Sequence, residues 1–442
     1  MRLSQMKQEI SRVDPPAKQG PVEAEERILI RGGKKLKGTV RVSGAKNSVL
    51  KIMAAALLVK GVSVLKNVPN LTDVHMMAEV LRHLGAVVTI SEGEVEIDAT
   101  NVQDYEAPYE LVSQLRASFN VLGPLLARFH QAKVSLPGGC AIGERRIDLH
   151  EKGLKQLGAE MHIDHGYVYA SCKKLVGTRI YLEKPSNGAT ENIMLAAVLA
   201  EGTTIIENAA QEPEITNLAD FVNAVGGKIS GAGTYTITID GVKPEDLHGA
   251  TVETIPDRCE AGTFIYACMA TGGEITIEGA NPHHLYSVIN KAQEMGAEIS
   301  ILAPGTIKVK ADGKMKPIDI TTVPYPGFPT DLQAPIMSVV ACSEGTSIIT
   351  ETIYENRFMQ VAELRRMGAD IALTGNAAVV KGVPKLMGAE VKASDLRAAA
   401  ALIVAGLAAD GVTEITGLHH LDRGYEKLED KFRALGADIW RR

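Results

Sequence analysis

Hydrophobic and polar positions recur along the chain in units of similar length. Six charged helical stretches end in a hydrophobic residue followed by Gly-Ala or Gly-Gly. They are Leu84-Gly85-Ala86, Leu157-Gly158-Ala159, Val225-Gly226-Gly227, Met295-Gly296-Ala297, Met367-Gly368-Ala369 and Leu435-Gly436-Ala437. The leading glycines lie 73, 68, 70, 72 and 68 residues apart. Glycine at this place predicts a helix C-terminus, because it takes the left-handed conformation that ends a helix ahead of a strand such as Val87-Val88-Thr89-Ile90.

A second marker keeps the same period. Ala-, Leu- and Met-rich stretches run through a short turn into alternating strands at 53–65, 195–206, 266–277, 338–349 and 402–415. Helices apolar nearly all round are buried ones, and strands alternating Val, Ile or Thr with polar residues are half-buried sheet. Each unit therefore supplies an outer amphipathic helix, an inner apolar helix and several strands. Such a unit leaves apolar surface exposed unless it packs on its neighbours, which favours assembly in threes around buried helices. The class is α/β by repetition and not a dinucleotide fold, since no GxGxxG follows a strand.

Composition narrows the function. The 442 residues suffice for two substantial cores. A net charge of -6 with 4% aromatics argues against a nucleic-acid binder, so any anion site must be a local gathering of Lys and Arg. The five cysteines (140, 172, 259, 268, 342) form no CxxC pair, which fits free thiols in a reducing cytosol and offers no zinc signature. Residues 1–26 read as a loose, polar N-terminal extension without the apolar core of a signal peptide. The longest apolar stretch, Ala398 to Ala409, is too short to cross a bilayer.

Polar residues concentrate at the mouths of the inner helices: Lys46-Asn47-Ser48, Thr190-Glu191-Asn192, Asp257-Arg258, Asp331 and Ser394-Asp395-Leu396-Arg397, while in the second unit Arg116 lies within the helical stretch containing Ala117-Ser118. Helix N-termini attract anions, although Ser394 and Asp395 also read as an ordinary cap with Arg397 pairing to Asp395. A further set lies beyond the strands that follow: Cys140, Arg145, Glu355-Asn356-Arg357 and Asp422-Arg423. If the units pack alike, both sets converge on one cleft. Cys140 sits in a glycine-rich turn, Pro137-Gly-Gly-Cys-Ala-Ile-Gly143, between a strand at Ala132–Leu136 and a helix at Asp148–Leu157. That composition predicts a mobile loop, in which Arg145 and Arg146 would lower the thiol pKa and attract an anion. A lone cysteine in a surface turn is commonly incidental, so the loop alone leaves both readings open.

Together these segments resemble the UDP-N-acetylglucosamine enolpyruvyl transferase family. The resemblance rests on Gly44-Ala45-Lys46-Asn47, Arg116-Ala117-Ser118, the Cys140 turn, Gly188-Ala-Thr-Glu-Asn192, Phe328-Pro-Thr-Asp331, Glu355-Asn-Arg-Phe358, Asp395-Leu-Arg397 and Asp422-Arg-Gly-Tyr-Glu426. It runs in order from about Ile28 to the C-terminus. It implies two inside-out α/β barrel domains, each of three repeats, with the active site in the cleft between them. One domain would be 46–254 and carry the Cys140 loop; the other would combine 27–45 with 255–442.

The implied reaction moves the enolpyruvyl group of phosphoenolpyruvate to the 3-hydroxyl of UDP-N-acetylglucosamine and releases phosphate, the first committed step of peptidoglycan precursor synthesis. By the same resemblance Cys140 is the general acid, brought in by loop closure, and Asp331 accepts the hydroxyl proton. Lys46, Arg423 and Asp395 complete the catalytic set. Lys46, Arg116, Arg145, Arg357, Arg397 and Arg423 are the cations for two polyanionic substrates. The nucleotide sugar would touch Asn47, Arg116, Arg145, Arg146, Ile147, Asp148, Leu149, Lys184, Pro185, Ser186, Asn187, Asp331 and Ile353. Asp395, Arg397 and Arg423 would lie on the phosphoenolpyruvate side.

No metal or other cofactor is implied. A cytoplasmic protein is expected, without nucleic-acid or membrane partners; the oligomeric state stays open, with a monomer favoured. Cysteine at position 140 implies alkylation by fosfomycin. The chain departs from the family pattern at Arg146 and Lys51, where proline is frequent, and in its N-terminal extension. Two rivals remain: transfer to shikimate 3-phosphate, against which stand Cys140 and the Gly-Ala-Lys-Asn opening, and a noncatalytic paralogue that binds UDP-sugars.

Overall fold

The computed structural model describes residues 25–136 and 147–442. Cys140, Arg145 and Arg146, with most of the N-terminal extension, therefore lie outside the described residues. Its last two residues are tied down: Glu25 accepts a hydrogen bond from the Gly417 N–H, and Glu26 pairs with Arg441 at 2.7 Å.

Strands among the described residues form six four-stranded sheets of one design. In the third, Arg179–Tyr181 runs parallel to Thr203–Glu207, which pairs antiparallel with Thr236–Asp240, and that with Lys228–Ser230. Three sheets recruit strands distant in sequence, one of them taking Leu36–Arg41 as the parallel edge beside Gly273–Glu278. Thr251–Glu253 supplies the parallel edge beside Val62–Lys66, and the N-terminal strand Ile28–Arg31 lies between Val412–Thr416 and Asp438–Arg441. The repeat is thus closed by chain ends, a pairing that local periodicity does not encode.

The predicted helix ends are the Gly-centred kind in all six units. Each leading glycine has positive φ, from 89° at Gly436 to 107° at Gly296. Its own N–H reaches back three residues and the next N–H reaches back five, as in Gly85 to Arg82 O and Ala86 to Leu81 O, both at 3.0 Å. These bonds satisfy carbonyls that the helix leaves orphaned and turn the chain into the following hairpin.

The inner helices are Lys46–Ala55, Leu122–Phe129, Asn187–Ala197, Arg258–Thr271, Gln333–Val340 and Leu396–Ala408. The last three pack on one another, and Leu122–Phe129 packs on Asn187–Ala197. The stretch holding Arg116 begins as a tight three-residue-per-turn helix, Arg116–Val121, before becoming α-helical with Pro124 in its first turn, where a missing N–H is tolerated.

Buried apolar side chains gather in two clusters. One spans Val49 to Leu247; the other joins Ile28–Val42 to Ala261–Ile439. Between them the chain passes twice, and the two passages pair: Ala45 N–H donates to Ile255 O at 2.7 Å and Asp257 N–H to Ser43 O at 2.9 Å. Gly44 is required here, since a Cβ would stand 1.8 Å from Asn67 O.

Candidate active site

Helix mouths and the loops facing them bring most of the predicted residues into two neighbouring groups. The first centres on Asp331, in the turn Thr330–Leu332 ahead of an inner helix. Its two oxygens take one guanidinium each: Arg357 at 2.7 Å on Oδ1 and Arg397 at 2.7 Å on Oδ2. Burial alone would raise this carboxyl, but Arg397 and Arg357 outweigh it and hold it well below the usual carboxylate range. Arg357 also donates to Thr330 Oγ1 at 3.0 Å, and Thr330 donates to Glu351 Oε2 at 2.8 Å. The other Glu351 oxygen accepts the Ile353 N–H at 2.7 Å, which fixes that expected contact. The Cys259 thiol lies 3.8 Å from Asp331 Oδ2, and burial pushes its pKa up, so it stays protonated.

Asp395 caps the helix Leu396–Ala408, its Oδ1 accepting the N–H groups of Arg397 and Ala398. The cap reading therefore holds for Asp395. The pairing of Arg397 with it does not: that guanidinium turns to Asp331 and also donates to Tyr425 Oη at 3.2 Å.

Lys46 and Arg423 meet on a carboxylate the motifs did not single out. Asp73, fully buried in the first turn of the helix Thr72–His83, takes Lys46 at 2.8 Å on Oδ2 and Arg423 at 2.8 Å on Oδ1. Burial lowers the Lys46 pKa, Asp73 opposes this, and the nearby charges of Arg397 and Arg423 lower it further. Lys46, Arg397 and Arg423 thus form one positive focus beside Asp331. An acidic residue in a first helical turn is ordinary dipole compensation, so nothing in the sequence set Asp73 apart.

The second group lies over the first apolar cluster. Asn47 follows Lys46 at its helix mouth, and Arg116 opens the segment Arg116–Val121. Ile147 and Asp148 lead into the helix Asp148–Gln156, whose Leu149 is buried. Lys184 and Asn187 are exposed, Pro185 lies between them, and Ser186 caps the helix Asn187–Ala197 by accepting the Ala189 N–H. Below them, burial pushes His150 down to about 3, with the Arg116 and Lys51 charges adding to the effect. The imidazole is therefore neutral; it accepts from Asn192 Nδ2 at 3.1 Å on Nδ1, which leaves its proton on Nε2. Among the described residues no group of three or more His, Cys, Asp or Glu side chains is placed to hold a metal, and no helix is long and apolar enough to cross a membrane.

The family model for EPSP synthase (3-phosphoshikimate 1-carboxyvinyltransferase) matches residues 30–432. The chain is 55% identical over 94% of its length to UDP-N-acetylglucosamine 1-carboxyvinyltransferase 2 of Carboxydothermus hydrogenoformans, covering 99% of that protein. The chain belongs to the enolpyruvyl transferase family. A second relative, UDP-N-acetylglucosamine 1-carboxyvinyltransferase 1 of Caldanaerobacter subterraneus, is 54% identical over 94% of this chain and 99% of its own. Among solved enolpyruvyl transferases, NikO from Streptomyces tendae superposes with a TM-score of 0.85 at 27% identity, over 94% of this chain and 99% of that one. EPSP synthase from Acinetobacter baumannii gives 0.71 at 20% identity, over 95% and 100%, a likeness of fold.

Proposed function

We infer that this enolpyruvyl transferase is a UDP-N-acetylglucosamine 1-carboxyvinyltransferase. It moves the enolpyruvyl group of phosphoenolpyruvate to the 3-hydroxyl of UDP-N-acetylglucosamine and releases phosphate, a step of peptidoglycan synthesis. One observation carries the reading: relatives of that name match at 53–55% identity nearly end to end. The two apolar clusters and the paired passages at 43–45 and 255–257 support two inside-out three-unit domains, 46–254 and 27–45 with 255–442, around a cleft. The free thiols of Cys172, Cys259, Cys268 and Cys342 support a cytoplasmic setting.

The chemistry follows from the charges. In the first step the sugar 3-oxygen bonds to carbon 2 of phosphoenolpyruvate, Asp331 takes the hydroxyl proton, and Cys140 gives a proton to carbon 3. In the second step carbon 3 gives a proton back to the Cys140 thiolate and the double bond returns. The carbon–oxygen bond to phosphate breaks with its electron pair on the phosphate, which takes the proton held by Asp331. A carboxylate held by two guanidiniums is a weak base. Asp331 gains basicity when the phosphoenolpyruvate anion draws Arg397, and with it Arg357, away from the carboxylate. The same cations then face the phosphate as it leaves. Lys46 and Arg423, aligned by Asp73, supply the remaining positive charge, and Asp395 fixes the helix end from which Arg397 projects. Asn47, Arg116, Arg145–Leu149, Lys184–Asn187 and Ile353 form the nucleotide-sugar side.

The test is phosphate release from phosphoenolpyruvate with two acceptors offered separately. Release with UDP-N-acetylglucosamine and none with shikimate 3-phosphate, lost in Cys140→Ala, is the expected result. Release with shikimate 3-phosphate instead would overturn the acceptor. Silence with both, from a folded protein that binds the nucleotide sugar, would mark a noncatalytic relative.

A further inference from the structure

Beneath the candidate nucleotide-sugar contacts runs a buried polar chain that the transfer reaction does not use. Lys51 Nζ meets Glu191 Oε2 at 2.8 Å, and the Asn120 amide donates to the same oxygen. Asn192 Nδ2 donates to Asn120 Oδ1 at 2.9 Å and to His150 Nδ1 at 3.1 Å, while its Oδ1 accepts the Gly123 N–H at 2.8 Å. Glu191 and Asn120 are 2% and 4% exposed, set in a cluster of buried apolar side chains. These residues come from three of the six units and meet where their inner helices converge.

Their places along the chain are regular. Lys51 follows Asn47 by four residues, Asn120 follows Arg116 by four, Glu191 follows Asn187 by four, and His150 adjoins Leu149. On an α-helix, positions four apart share a face, so Lys51 and Glu191 each lie one turn beneath a candidate contact. In the tighter helix from Arg116 the eclipsed residue is Phe119, whose ring packs edge-on against His150 at 5.3 Å. Each expected contact stands at an open helix mouth, and each polar partner lies one step deeper.

A buried ion pair is a weak source of stability, because desolvation offsets most of the attraction; its better-attested use is to specify geometry. Removing one partner leaves an uncompensated buried charge that disturbs the helix ends around it. Arg116 and Lys51 both lie near enough to His150 to act on it electrostatically, so a change of charge here is felt at the Arg116 mouth. We propose that Lys51 and Glu191 are a positioning pair for the nucleotide-sugar site, holding the helix mouths at Asn47, Arg116 and Asn187 in mutual register. The proposal rests on the function inferred above. Neither side chain touches substrate or the reacting atoms, and Lys51 stands where the family pattern often has proline, so the pair is a feature of this chain.

The test compares Lys51→Met, Glu191→Gln and the double variant by steady-state kinetics, by calorimetric titration with UDP-N-acetylglucosamine, and by thermal melting. Each single variant should raise KM and Kd for the nucleotide sugar by about tenfold with kcat changed less than about threefold, a loss of binding and not of chemistry. The double variant, which leaves no unpaired charge, should return both constants to within about threefold of the parent, a non-additivity expected of directly coupled groups. Lys51→Arg should rescue. If Lys51→Met does not fold, Glu191→Gln and the charge-balanced double variant still decide. Folded single variants with unchanged Kd, whatever their melting temperature, would overturn the proposal and leave the pair merely structural. A parent protein that fails to bind UDP-N-acetylglucosamine would instead overturn the functional reading, and this proposal with it.

Discussion

Asp331 and His150 show how far a residue's protonation depends on neighbours that are remote in sequence. Arg357 and Arg397 follow Asp331 by 26 and 66 positions, yet each puts a guanidinium nitrogen 2.7 Å from its carboxylate. The motif Phe-Pro-Thr-Asp told which aspartate to watch; it could not tell that this aspartate rests in a double ion pair. Likewise the residue types Lys46 and Arg423 were legible as anion ligands, but Asp73, which aligns them, carries no motif and became visible only through the packing of its helix. His150 offers a test at this scale. Its native pKa is pushed down to about 3 by burial, against about 6.5 in an unfolded chain. The unfolded state therefore binds the extra proton first, so stability falls as pH drops below the unfolded value and keeps falling until the native pKa is reached. Between pH 6 and pH 4 this residue alone should remove about 1.4 kcal/mol per pH unit. Urea melts at pH 7, 5.5 and 4.5 should show that slope in the parent and a flatter one in His150→Gln, whose amide can still accept from Asn192. Equal slopes would mean that His150 titrates normally.

Secondary-structure elements were more legible than the residues they carry, because their signals are local. The six glycine caps were readable from the period, since a helix ending in Leu-Gly-Ala needs only its own backbone to close. The helix expected at Asp148–Leu157 is observed at Asp148–Gln156, and the strand expected at Ala132–Leu136 is Gln131–Ser135. What local pattern missed is non-local pairing: strand Ile28–Arg31 completes a sheet whose other members lie beyond residue 389. Two glycines separate local from non-local demands. Gly296 has φ of 107° with no neighbouring atom within 4 Å of an added Cβ, so its requirement is purely conformational. Gly296→Ala should destabilise the protein by about 1–2 kcal/mol, the usual penalty for a left-handed L-residue, without changing KM for either substrate. Gly44→Ala adds a collision with the Asn67 carbonyl at the passage between clusters, and should lower both stability and kcat/KM by more than Gly296→Ala does. Denaturant melts with parallel kinetics distinguish the two; equal behaviour would show that the Gly44 approach relaxes without consequence.

At the scale of the whole molecule, the charge focus is assembled from both apolar clusters. Lys46 and Asp73 belong to the segment that builds the first, whereas Arg397 and Arg423 belong to the second. Away from the paired passages at 43–45 and 255–257, the two sides meet through a short seam. Arg423 Nε lies 2.8 Å from Asp73 Oδ1, the Asn70 N–H donates to Glu426 Oε1 at 3.0 Å, and the Thr72 N–H donates to Asp422 O at 3.2 Å. On the two-domain reading proposed above, this seam sets how closed the cleft is before substrate arrives. Asp73 carries an ion pair across this seam, as Glu214 does with Arg258 at 3.1 Å beside the paired passages, and it also separates Lys46 from Arg423, two cations that would otherwise repel. Asp73→Asn keeps the shape and removes the charge, so the repulsion is no longer balanced and the seam should open. Small-angle scattering should then give a larger radius of gyration for the ligand-free variant than for the parent. Catalysis should suffer with it, since displacing a reacting group by about 1 Å can lower the rate about 100-fold. The fall in kcat/KM should be steeper for phosphoenolpyruvate than for the nucleotide sugar, whose candidate contacts lie mainly on the first cluster's side. An unchanged radius of gyration together with an unchanged kcat/KM would mean that the backbone bonds of Asn70 and Thr72 hold the cleft without help from Asp73.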